Sequence, residues 1–305
     1  MLAWFFNPAV ISLAALFVAI VWMLRDEKDK TRPLLVMALV LNLVYGWVLS
    51  FVMGRENGLV PWKYDHVLLR LDSALGLSAA PMAAWLHPAA IALFVVYQLM
   101  VPMMIAWFFV ARSRQRSGAI IMAYVAEMIA GPALYAVVPA CGPVYAFHQN
   151  WLTPPAVEAT AIRLGGMPNA FPSLHVGTAL IFVLFAPTRL TRSIALAFLV
   201  ATALATLAIG EHYVIDLVAG LAFGCFAASI GRRRRAASLF FGSIAVGWSL
   251  AVRLAYGFLI AHPEFLRILA VLTVGTVAAA VALEWRTREP VSETQDSPAV
   301  LQPGQ

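Results

Sequence analysis

Long apolar runs separated by short polar breaks recur from Leu2 to Trp285, and they constrain this chain more than any motif in it. Nine of them reach or approach the roughly twenty residues that an α-helix needs to cross about 30 Å of hydrocarbon. They fall at 2–24, 34–54, 88–111, 118–139, 173–188, 193–210, 213–231, 237–260 and 266–285. With 62% hydrophobic and 12% charged residues and a mean hydropathy of +0.84, the composition excludes an ordinary soluble domain. The expected fold is all-α, a polytopic membrane helical bundle of about nine transmembrane helices.

The net charge of +6 raises the question of an acidic partner, and the placement of the basic residues answers it. They collect in alternate loops: 25–33, "RSRQRS" at 112–117, "RLTR" at 189–192, "RRRR" at 232–235 and "RTR" at 286–288. The positive-inside bias then puts these loops in the cytoplasm, with the N-terminus outside and the C-terminus inside. At the end of a span, "RRRR" reads as a topology anchor, so no nucleic-acid partner is expected. The first run has no basic residues before it and no small-residue cleavage site, and is expected to be a retained anchor.

Four regions follow from these breaks: N-terminal spans with an outer interfacial segment at 1–117, a core at 118–235, a helical hairpin at 236–288 and a disordered polar, Pro-containing tail at 289–305. Within 55–87, too interrupted for a span, "HVLLRLDSALGL" predicts a short interfacial helix. Cys141 and Cys225 read as apolar fillers, because one of them lies in mid-span.

Two polar stretches interrupt this pattern at the same membrane level. "NAFPSLH", Asn169 to His175, opens the fifth run at its outer end, and "EHYVID", Glu211 to Asp216, opens the seventh at the same face. Asp216 follows His212 by four residues, which on a helix stacks the two side chains, fixing the imidazole tautomer and stabilising positive charge on it. Pro172 and Ser173 read as a helix start, with proline in the first turn and a hydroxyl near open amides, and such an N-terminus is an anion site. Two imidazoles, a carboxylate and an anion site at one level suggest phosphoryl transfer: one histidine attacks phosphorus and the other protonates the leaving oxygen.

"PSLH" followed by "HYVID" resembles the second and third signatures of the type 2 phosphatidic acid phosphatase superfamily, whose members are metal-independent lipid phosphatases and phosphotransferases. The proline-punctuated "YAVVPACGPVY", Tyr135 to Tyr145, is similar to the branch containing inositol phosphorylceramide synthases. The resemblance covers mainly 118–231, with an echo in "HVLLRLDSALG". It implies that His212 is the nucleophile, forming a phosphohistidine, that Asp216 orients it, that His175 is the general acid, and that Ser173 with nearby amides holds phosphate. It also implies a lipid phosphate substrate, a phospholipid or a polyprenyl phosphate, at the outer leaflet and no metal or other cofactor.

The departures tilt the expectation from simple hydrolysis towards transfer to an alcohol. Phosphatase members carry an arginine six residues before the third-signature histidine; Thr206 stands there. "RDEKDKTRP", Arg25 to Pro33, imitates the spacing of the first signature but lies on the cytoplasmic side, a membrane away from both histidines. Arg163, on the correct side, is the replacement cation expected, ahead of Lys63 and Arg70. The reading from a different class is a transporter with the histidines as a proton relay. No matching pair of interrupted spans supports it.

Overall fold

A computed structural model describes residues 60–77, 79–112, 117–167 and 169–287. The first two apolar runs, the 25–33 loop and the tail from 289 lie outside these residues. Most of the described chain is helical, and a long irregular connection precedes Leu174. Among the described residues the strands form a single ribbon, in which β1 (Trp62–Lys63) pairs antiparallel with β2 (Ile162–Arg163). Among the described residues, six helical segments are long and apolar enough to cross a membrane.

The predicted interfacial helix is present as α1 (Asp65–Leu75), stopped by Gly76 in the left-handed conformation at φ +78°. One face is apolar and buried through Val67, Leu68, Leu71 and Leu75, while Arg70 is exposed. After it comes a difference from the sequence reading. The run at 88–111 is not one span: helix begins earlier, as α2 (Ala79–Leu86), passes through a 3-10 turn at His87–Ala89 into α3 (Ala90–Gln98), and breaks at Leu99 before α4 (Met100–Arg112). Pro102 is the physical reason, since it has no N–H to return to Gln98 and its ring crowds that carbonyl. The longer apolar segment is therefore Ala80–Gln98. Met82, near one end, packs beside Leu207 and Val214, and Tyr97, near the other, stacks on His175.

The later helices begin close to the predicted runs: α5 (Ser117–Val137), α7 (Leu174–Phe185), α8 (Arg189–Ala208) and α9 (Val214–Gly231), with a short α6 (Pro143–Phe147) after α5; α7, at 12 residues, is shorter than a membrane span. Thr188 starts α8 through a reciprocal cap with Thr191, each hydroxyl accepting from the other's amide. Gly210, at φ +74°, ends it and allows the immediate return into α9. The run at 237–260 divides at Ala255 into α10 (Arg235–Leu254) and α11 (Tyr256–Ala261), and α12 (Pro263–Arg286) completes the described chain.

Helix α9 is the axle: it packs against α5, α7, α10 and α12, and most of its residues are buried. Its contact with α7 is backbone to backbone. A Cβ on Gly220 would stand 2.5 Å from the Ser173 carbonyl oxygen, and one on Gly224 would stand 2.6 Å from that of Gly177. Small residues four apart are what allow two membrane helices to approach this closely.

The two ends of the bundle differ in character. One gathers the ribbon, α1, the 138–172 loop and the α8–α9 turn; Arg253 there donates to the Val137 carbonyl, and Arg267 to those of Ala74 and Leu75. At the other, Arg232 and Arg234 pair with Glu284 of α12 at 3.1 and 2.7 Å, and Arg232 also donates to the Leu184 carbonyl and lies over the Phe185 ring. "RRRR" thus also ties three helices together. Cys141 and Cys225 are buried free thiols.

Candidate active site

His175 sits in the first turn of α7, and its position depends on how that helix starts. Ser173 is the N-cap, in extended conformation, and its hydroxyl oxygen accepts from the Val176 amide at 3.4 Å. Pro172 therefore lies before the cap and not in the first turn, joined to Phe171 by a cis peptide bond. The Ser173 amide donates to the Asp216 carbonyl at 3.0 Å, fastening the start of α7 to α9. Among the described residues no acceptor takes the amides of Leu174 and His175, so this N-terminus offers two donors.

His212 does not lie on the helix that follows it. It occupies the turn between Gly210 and Val214, and only 3% of it is exposed. The expected stacking with Asp216 on one helix face is correspondingly replaced by a different arrangement. Nδ1 is 2.8 Å from the Ala170 carbonyl oxygen, while Asp216 Oδ2 is 3.4 Å away. That Oδ2 accepts from the Tyr213 amide at 2.8 Å, because a carboxylate three residues into a helix reaches back most easily to the cap amide. A carbonyl can only accept, so Nδ1 carries the proton and Nε2 keeps its lone pair. Burial pushes the His212 imidazole down to about 4, against a smaller opposing effect of Glu211, which keeps the ring neutral near pH 7.

The two imidazoles meet. Their ring centroids are 6.0 Å apart, with planes at 65°. At that separation one phosphoryl group comes within reach of both rings. On its other face His175 stacks on Tyr97, at 4.2 Å between centroids. Beside His212, Glu211 accepts from the Tyr145 hydroxyl at 2.8 Å, and burial raises its carboxyl above the usual range.

The basic candidates are placed differently. Arg163 is exposed on β2, opposite Trp62, and makes no ion pair among the described residues. Lys63 is fully buried and donates to the Val60 carbonyl at 2.7 Å. Thr206, where a signature arginine was sought, is buried and bonds to the Ala203 carbonyl of its own helix.

Residues 66–230, more than half of the chain, match the family described as the PAP2 superfamily. The chain belongs to the PAP2 superfamily. Members of this superfamily are generally phosphatases, so the family points to membrane phosphatase or phosphotransferase chemistry. The match begins in α1, upstream of the 118–231 stretch that carried most of the motif resemblance, and ends with α9. No curated protein and no solved structure matches the chain.

The sequence reading missed several parts of this PAP2 site. Tyr97 lay in an apolar run with nothing to mark it. The Ala170 carbonyl has no side-chain signal at all. The Gly220 and Gly224 pair, "GLAFG", was a readable small-residue motif for close helix approach. Asp65 and Asp72, a heptad apart on one buried face of α1, were readable as carboxylates on an otherwise apolar stripe. Among the other histidines, His66 stacks on Phe147 and His262 lies beside Phe258.

Proposed function

We propose that this protein is a lipid phosphotransferase or phosphatase working through a phosphohistidine on His212, with transfer to an alcohol favoured over hydrolysis. The observation that carries the reading is the 6.0 Å approach of His175 and His212, one of them with a defined lone pair on Nε2. In the first half-reaction His212 Nε2 attacks phosphorus, the bond from phosphorus to the leaving oxygen breaks, and protonated His175 donates to that oxygen. In the second, His175 takes the proton of water or an alcohol as its oxygen attacks, and the P–N bond breaks. The Ala170 carbonyl and Asp216 hold the Nδ1–H and stabilise positive charge on the phosphorylated ring. Leu174 and His175 amides, at the N-terminus capped by Ser173, receive the phosphoryl oxygens. Arg163, unpaired on the ribbon, meets the phosphate from the aqueous side.

Glu211 and Tyr145 supply hydrogen-bonding groups next to the nucleophile, which favours an alcohol acceptor of the inositol phosphorylceramide synthase kind. The arginine-rich end, at Arg189, Arg192 and Arg232 to Arg235, is assigned to the cytoplasm, so the histidine end faces the outer leaflet, where a lipid keeps its chains in the bilayer. Phosphate release from labelled phosphatidic acid by the purified protein, with and without a lipid alcohol, tests the choice. Transfer predicts a labelled lipid product that grows at the expense of free phosphate. Unchanged phosphate release in the presence of acceptor would make the protein a plain phosphatase.

On its acid side the pH profile carries two groups at the histidine end, and the need for a protonated His175 adds a basic limb. His212 must be deprotonated to attack, so its own acid limb is expected near pH 4 and not near 6.5. The buried Asp65 carboxyl is pushed up to about 6 by burial, against the pull of Cys141, Gly142 and Tyr213 donors. Below that value it is neutral and its bonds to the three donors lose the strength that the charge gives them, so a second loss of rate is expected there. Asp65→Asn should remove the inflection near 6 and leave the lower one. A single inflection near 6.5 that survives this substitution would contradict both assignments.

A further inference from the structure

Helix α1 carries two carboxylates that the chemistry above does not use, and both are fully buried. A buried carboxylate is costly unless donors replace its lost hydration. For Asp72 the donors are the amides of Val214 and Ile215, at 2.8 and 2.9 Å. For Asp65 they are the Gly142 amide at 2.9 Å, the Cys141 amide at 3.1 Å and the Tyr213 hydroxyl at 3.1 Å. Three of these five groups belong to the three residues that follow His212. The other two belong to a turn that rests on the His212 turn: the Val144 amide donates to the Gly210 carbonyl at 2.9 Å, and Gly142, at φ +94°, lies so close to the Glu211 carbonyl that a Cβ has no room.

A helix N-terminus is ordinarily capped from its own chain, one to three residues away. Here Asp216 caps locally, at the Tyr213 amide, and Asp72 takes the next two amides from a helix distant in sequence. The N-terminus of α9 is consequently saturated, which leaves that of α7 as the anion site. It also ties the backbone of a non-helical histidine to a rigid neighbour, whose own C-terminus is held by Arg267 from α12.

We propose that Asp65 and Asp72 are positioning residues for His212: through the Tyr213 hydroxyl, the Val214 and Ile215 amides and the Cys141–Gly142 turn, α1 holds the imidazole at the distance from His175 at which phosphorus is attacked. The inference rests on His212 being the nucleophile. It predicts that loosening the clamp slows phosphorylation without weakening substrate binding, since the phosphate cradle belongs to α7. A misplacement of about 1 Å is enough to cost roughly 100-fold.

The test is the single-turnover rate of label transfer from radiolabelled phosphatidic acid, and in parallel phosphatidylinositol, onto His212 in full-length protein. Asp72→Ala should slow labelling by about 10- to 100-fold with KM within about threefold of wild type. Asp72→Asn, which keeps one acceptor oxygen, should recover most of the loss and also serves if the alanine variant fails to fold. Asp72→Ala combined with Asp216→Ala should cost less than the product of the separate effects, because both caps serve one helix end. Labelling of Asp72→Ala and Asp72→Asn at the wild-type rate overturns the clamp while leaving the nucleophile in place. So does a parallel fall of kcat, binding and thermal stability in which asparagine does no better than alanine. Wild-type protein that takes no label on His212 overturns both readings.

Discussion

His212→Ala is expected to abolish turnover, lowering the rate by about 10⁴- to 10⁶-fold, because it removes the ring whose Nε2 lone pair attacks phosphorus. Three features make the effect large. The ring is neutral near pH 7, its Nδ1–H is committed to the Ala170 carbonyl, and Nε2 is left to attack. Asp216→Asn should leave a measurable residue of activity, since the Ala170 carbonyl still holds the tautomer and an asparagine oxygen can still cap the Tyr213 amide. Initial rates of phosphate release and lipid transfer, measured on the same preparations, check both variants. Full turnover by His212→Ala, or an Asp216→Asn variant as dead as His212→Ala, would count against this division of labour.

The second large effect is expected from a residue with no functional group. Gly220→Val should lower activity by more than about 100-fold, and Gly220→Ala should already be damaging. In an unconstrained helix, replacing glycine by alanine stabilises by about 0.5–1 kcal/mol. At Gly220 the new Cβ meets the Ser173 carbonyl at 2.5 Å, a backbone atom that cannot rotate away. Helices α7 and α9 must separate, and His175 and His212 separate with them. Gly275→Ala is the control, since nothing lies within 4 Å of a Cβ there, and it should leave activity unchanged. Equal activity of Gly220→Ala and Gly275→Ala would show that close approach of α7 and α9 is not what sets the distance between the histidines.

Much of this architecture is legible in the sequence because the bilayer leaves few options. A run of about twenty apolar residues with basic ends can only be a buried or membrane helix, and 118–139, 193–210 and 213–231 correspond to observed helices within a few residues. The run at 88–111 was misplaced for a local reason: hydropathy cannot see that Pro102 breaks the helix at Leu99, so the apolar segment slides back to begin at Ala80. Loop charges alone put both histidines at one end of the bundle, where the structure brings their rings together.

What the sequence does not reveal is long-range and polar. The Ala170 carbonyl that fixes the His212 tautomer has no side chain to notice. Asp216, read as an i to i+4 partner on a helix, turns out to serve the cap as well, because His212 precedes the helix. Asp65 and Asp72 are visible as carboxylates on the apolar stripe of α1, but the backbone amides that receive them, at 141–142 and 214–215, leave no local trace.

The most direct measurement of the central claim is to quench the enzyme during turnover of a radiolabelled phospholipid and locate the label in the chain. The account predicts a phosphorylated histidine on the peptide containing His212, absent from His212→Ala. Slowed labelling is expected in His175→Ala, which lacks the proton donor. Label on a different residue, or turnover with no covalent intermediate while the chemical step limits the rate, would contradict it.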